Sequence, residues 1–118
     1  MAHRIDHSVG SAAVAEWTQA SGTPVARQVL ATAVRFTLQQ LEARAPGGSV
    51  EVRVPPFGAV QCIAGTSHRR GTPPAVIETD AGTWLSLASG AIAWADAVSS
   101  GRVQASGERA DLSGYLPL

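Results

Sequence analysis

Ser49-Val50-Glu51-Val52-Arg53-Val54, then Pro55-Pro56-Phe57-Gly58, then Ala59-Val60-Gln61-Cys62-Ile63-Ala64, is the stretch in which the hydrophobic period of the chain switches from about 3.6 to 2. In the first run three valines alternate with polar residues. Successive strand side chains point to opposite faces, so this is the pattern of a half-buried strand. The Pro-Pro-Phe-Gly segment reads as a turn. The second run is more apolar and predicts a more central strand, paired with the first as an antiparallel hairpin. Ala75-Val76-Ile77-Glu78-Thr79 predicts a third strand, and Arg102-Val103-Gln104-Ala105-Ser106, ended by Gly107, a last one with Val103 and Ala105 facing the core.

Helical spacing governs the flanks. Residues 8–20 predict a helix capped by Ser8, with Val9, Ala13, Trp17 and Ala20 on one stripe. Thr23-Pro24 predicts the opening of a second helix, since proline suits the first helical position. That helix runs to about Ala45, where Pro46-Gly47-Gly48 stops it. Val29, Leu30, Ala33, Val34, Leu38 and Leu41 form its apolar face; Arg27, Ala31, Arg35, Gln39 and Glu42 trace its solvent face. Asp80 predicts a cap for a helix over 81–89, with Trp84, Leu85, Leu87 and Ala88 inward and Gly90 as its stop. A shorter helix over 93–100 carries Trp94, Ala97 and Val98, and a turn over 111–116 follows. The expectation is an α+β fold: a mixed, largely antiparallel sheet of four to five strands with helices packed on one face, in a single domain over 1–118 whose N-terminal helical part is 8–45.

A chain of 118 residues, 45% hydrophobic and only 5% aromatic, supports one modest core. All nine basic residues are arginine, and lysine and asparagine are absent, which codon pressure in a GC-rich bacterial genome explains. Nine acidic residues balance the nine arginines, so the electrostatic footprint of a nucleic-acid binder is missing. No apolar run approaches the roughly 18 residues of a membrane span, and the polar N-terminus has no secretory h-region. Cys62 has no partner for a disulfide. Together these imply a cytoplasmic protein with no transmembrane segment.

Few residues suggest chemistry. Cys62 reads either as a reactive thiol or, more in keeping with a strand of apolar neighbours, as a small buried hydrophobe. His68-Arg69-Arg70 is the densest polar cluster; its guanidiniums could hold a carboxylate or phosphate headgroup, or the segment is simply a solvated loop. No third group orients a Cys62–His68 pair, so no catalytic residue is assigned. His3 and His7 lie at a terminus prone to fraying, so no metal is expected. No cofactor is implied.

Two stretches carry a family resemblance. Thr83-Trp84-Leu85-Ser86-Leu87-Ala88-Ser89-Gly90-Ala91-Ile92, then Ala97, then Gly101-Arg102-Val103-Gln104-Ala105-Ser106-Gly107, resembles the C-terminal signature of the sterol carrier protein-like family. The middle, from Val52 through Cys62 and on to Arg70-Gly71-Thr72-Pro73-Pro74, resembles a bacterial, actinobacterial branch of that family. The resemblance covers residues 49–112. It implies a non-enzymatic carrier that holds an apolar or amphipathic, lipid-like ligand between sheet and helices. The walls of that cavity would be Val52, Val54, Phe57, Val60, Cys62, Ile77, Trp84, Leu87, Ile92, Trp94, Val98 and Val103, with His68, Arg69 and Arg70 at the headgroup. The better-known carriers close their cavity with a C-terminal helix, whereas this chain stops at Leu118 after a short turn. Two alternatives stand beside the carrier. One is a structural or interaction module with a filled core, pairing with itself or a protein partner through an apolar edge near Tyr115 and Leu116. The other is an accessory domain to a thiol-cofactor-dependent isomerase or transferase, by analogy with appended relatives.

Overall fold

A computed structural model of the chain describes residues 3–65 and 75–118. Alternating valines build the centre of its sheet: β1 (Val50–Val54) buries Val50, Val52 and Val54 completely and turns Glu51 and Arg53 to the other face. The turn at 55–57 leads into β2 (Gly58–Cys62), antiparallel to β1 with Val52 opposite Val60 and Val50 opposite Cys62. β3 (Ala75–Thr79) lies parallel to β1 on its other side, and β4 (Val103–Ser106) is antiparallel to β3. The order is therefore β2-β1-β3-β4, a mixed sheet of four strands. The more apolar second run is an edge strand after all. Its apolar character follows from the helix packed on it, not from a central place in the sheet.

Four helices complete the α+β fold: α1 (His7–Ala20), α2 (Arg27–Arg44), α3 (Ala81–Ser89) and α4 (Trp94–Ser99). The helical face of the sheet meets Leu38, Leu41, Trp84, Leu85 and Leu87 in one continuous core that also takes in Ala97 and Leu112. Each large side chain fully buried there contributes about 1.5–3 kcal/mol. Across this interface the Trp84 indole N–H donates to the Thr37 hydroxyl at 2.8 Å, tying α3 to α2 inside the core.

The end of α3 conforms to its sequence. Asp80 accepts from the Thr83 amide at 3.1 Å and from its hydroxyl at 2.6 Å, and Gly90 closes the helix in the left-handed region at φ 84°. Elsewhere the boundaries move. The cap of α1 is Asp6, whose carboxylate accepts from the Ser8 hydroxyl at 2.6 Å, so Ser8 lies inside the helix. α2 begins at Arg27 behind Ala26, because the segment 21–26 is spent crossing from α1 to α2; Ser21 and Gly22 take positive φ there.

Three inward assignments are corrected as well. Val9 is 55% exposed: α1 turns Gly10 and Ala13 to α2 instead, and a methyl group on Gly10 would fall 2.1 Å from the Phe36 ring. That ring is the buried partner of α1 on α2. Val98 is 41% exposed, because six-residue α4 reaches the core through Ala97. Ala105 sits opposite Ile77 but is exposed, at an edge that the helices do not cover.

Candidate functional site

The residues expected to wall a cavity between sheet and helices are brought together, in the form of packed core. Val52, Val54, Phe57, Cys62, Ile77, Trp84, Leu87 and Val103 are buried in one cluster, and Val60, Ile92 and Trp94 pack against it half-buried. Val98 faces outward. His68, Arg69 and Arg70 lie outside the described residues. Tyr115 and Leu116 are half-buried against the core, and Leu118 donates its amide to the Ala88 carbonyl, which ties the end of the chain to α3.

Cys62 is fully buried. Burial pushes its thiol up to about 11, with the Glu42 carboxylate adding to the effect. A thiol held protonated inside a core is a hydrophobe. Among the described residues no group of three or more His, Cys, Asp or Glu side chains is placed to hold a metal ion, and no helix is long and apolar enough to cross a membrane.

Open space lies instead in the helical layer. One cleft, about 440 Å³, is bounded by Trp17 of α1, Pro24 and Val25 of the connection, Leu30 of α2, the first turn of α3, and Arg102. Its lining is mixed, apolar at Trp17, Pro24, Val25 and Leu30 and polar at Thr23, Asp80, Thr83, Ser86 and Arg102. The Asp80 carboxylate is already engaged by Thr83. Burial pushes its pKa upward, but the hydrogen bonds from the Thr83 hydroxyl and from backbone amides outweigh this and hold it below its ordinary value. The Ser86 hydroxyl donates to the Gly82 carbonyl at 2.8 Å. Arg102 is fixed through its backbone, with its carbonyl accepting from the Thr79 hydroxyl at 2.8 Å and its amide donating to Ala97 at 3.0 Å. Its guanidinium has no carboxylate partner among the described residues, where the ion pair found is Arg53–Glu51 on the far face of the sheet. A second cleft, about 310 Å³, lies between α1, α2 and α3, with Val14, Phe36, Thr37, Leu85, Ala88 and Leu118 among its walls.

Sequence reasoning passed over Pro24, Val25 and Arg102 as site residues. The first two read as helix, and Arg102 as one more strand residue. The available signal was a Val flanked by Pro and Ala immediately ahead of a helix, too slight to separate a cleft wall from a connection.

From the cap of α2 to the end of the chain, residues 26–118, the sequence matches a protein family described as the bacterial SCP ortholog. The chain belongs to that family. The bacterial SCP ortholog match takes in the whole sheet, α2, α3, α4 and the C-terminal turn, and α1 lies ahead of it. No curated protein matches the chain.

Proposed function

We propose that the chain binds and carries an apolar or amphipathic, lipid-like molecule, and that it takes the guest in the helical layer and not between helices and sheet. Membership of a sterol carrier-like family supports carriage in general. The observation that carries the location is the roomier cleft, where Trp17, Val25 and Leu30 share the lining with Asp80 and Arg102 and the volume falls within the roughly 300–1,000 Å³ of small-ligand sites. The sheet-facing side chains, by contrast, are already in contact with their helical counterparts, and close packing leaves little reason for a guest there.

Protein purified without detergent is expected to show bound adducts in native mass spectrometry and to bind a fluorescent acyl probe. Trp17→Ala should weaken the probe roughly tenfold, since about 1.5 kcal/mol of apolar contact is lost. A wild-type protein that carries nothing and ignores the probe refutes the proposal.

The filled core also favours a second reading, an interaction module. Sedimentation that shows a strict monomer at high concentration removes its self-association form.

A further inference from the structure

The two outer edges of the sheet differ. At the β2 edge, the Ser49 amide donates to the Ile63 carbonyl. By the alternation of an antiparallel ladder, Gly58, Val60 and Cys62 therefore aim their backbone groups outward. Gly58 and Val60 are half-buried, Cys62 is fully buried, and Leu38 and Arg35 of α2 stand beside Gly58. That edge is shielded.

The β4 edge is open. The Ala75 amide donates to the Ser49 carbonyl, so Ala75 and Ile77 of β3 bond to β1. Val76 and Glu78 are left to bond to Ser106 and Gln104 of β4, and Val103 and Ala105 aim their amides and carbonyls away from the sheet. From Gln104 to Glu108 every residue is exposed, and among the described residues no strand lies beyond β4. Natural edges are blunted by charge, proline or a bulge. Val103-Gln104-Ala105-Ser106 has neither charge nor proline, and its register with β3 is unbroken.

Opposite charges stand at the two ends of this strand, both exposed: Arg102 before it, and Glu108 after the bend at Gly107, where φ is 92°. Asp80 lies at the Arg102 end, but Thr83 engages its carboxylate and it makes no ion pair with the guanidinium. At the Glu108 end, Arg109 and Asp111 follow, and the three charges sum to one negative.

This gives the interaction reading a definite surface and does not depend on carriage. We propose that the β4 edge binds a second copy of the chain, the two β4 strands pairing antiparallel about a two-fold axis at Ala105. Outward-facing residues must meet outward-facing residues, which allows a centre at Gln104 or at Ala105. Only the centre at Ala105 sets each Arg102 against the Glu108 end of the other copy. Ala105 then faces Ala105, Gln104 faces Ser106, and Val103 faces Gly107. Two four-stranded sheets become one of eight, with both helical layers on the same side. Its outer edges are the two shielded β2 strands, so assembly closes at the dimer.

Sedimentation velocity of the full chain from about 5 to about 500 µM should show a monomer–dimer equilibrium, as suits an interface at the small end of the specific range. Over that range the Ala105 amide should gain protection from hydrogen exchange as the dimer fills. Ala105→Pro deletes the central donor from both copies while sparing the bonds to β3, a change that an edge strand tolerates. It should weaken dimerisation at least about tenfold. Glu108→Arg should weaken it at least about threefold, and adding Arg102→Glu should restore it to within about twofold of wild type. If the melting temperature shows that Ala105→Pro misfolds, the charge swap decides, and a double variant no tighter than Glu108→Arg alone overturns the pairing. A dimer that ignores Ala105→Pro and Glu108→Arg overturns this surface while self-association stands. A chain that is monomeric throughout the range overturns both.

Discussion

Thr37→Val isolates the hydrogen bond that joins the helices inside the core. Thr37 is 4% exposed and Trp84 0%. The hydroxyl faces the Ala33 and Val34 carbonyls at 2.8 and 2.9 Å as donor, and accepts from the indole at 2.8 Å. Valine keeps the shape and strips the acceptor, so a buried N–H is left without a partner. That costs about 1–3 kcal/mol, more than the net worth of an ordinary hydrogen bond. At about 2.1 cal/mol/K per residue, a chain of this length unfolds with roughly 250 cal/mol/K, so each kcal/mol moves the midpoint by about 4 °C. A loss of about 2 kcal/mol thus lowers the melting temperature by about 8 °C. Trp84→Phe made alone and in combination completes a double-mutant cycle, with a coupling of about 1 kcal/mol expected. Calorimetry or circular dichroism reads it. A Thr37→Val protein that melts within about 2 °C of wild type refutes the reasoning.

Asp80→Ala removes the cap of α3 and should cost about 1 kcal/mol in chemical denaturation. Because the folded carboxyl is held below its usual 3.8, its contribution is complete above that pH and disappears as the pH falls through the lower folded value. Asp80→Asn should therefore flatten the stability profile below about pH 4, and an unchanged acid limb counts against the cap. Cys62, with its thiol near 11, should resist iodoacetamide at pH 8 in the native protein and react fully in denaturant. Labelling of the native protein within minutes would show that strand β2 opens.

How much of this fold was legible depended on how many constraints met at a residue. β3 and α3 had several: a run rich in β-branched residues behind Pro73-Pro74, a capping aspartate, an inward Trp-Leu-x-Leu pattern and a stopping glycine. Both were read to the residue. α1 had an ambiguous stripe. Val9 and Gly10 are neighbours, and hydrophobicity alone favours turning valine inward. The structure prefers glycine there because only a residue without Cβ lets the helix settle on Phe36, a distant partner that no local window contains. The Thr23-Pro24 signal failed for a related reason: the geometry of two antiparallel helices claims those residues for the crossing.

The candidate site was less legible than the fold. Val9, Val98 and Ala105 aside, the inward apolar residues were found, but inwardness does not distinguish filler from wall. Both clefts border α1, a helix that buries only one glycine and one alanine. His68-Arg69-Arg70 remains the expectation for a headgroup contact that the described residues do not reach.

The sheet has one dressed side. Arg53, Glu78 and Gln104 stand in register on the bare side, and Glu51 faces Gln61 beside them. Those positions form a keyboard for the net charge of a chain that is formally neutral. Exchanging them for like-signed residues retunes its solubility and its attraction to charged surfaces while the packing behind remains as it is.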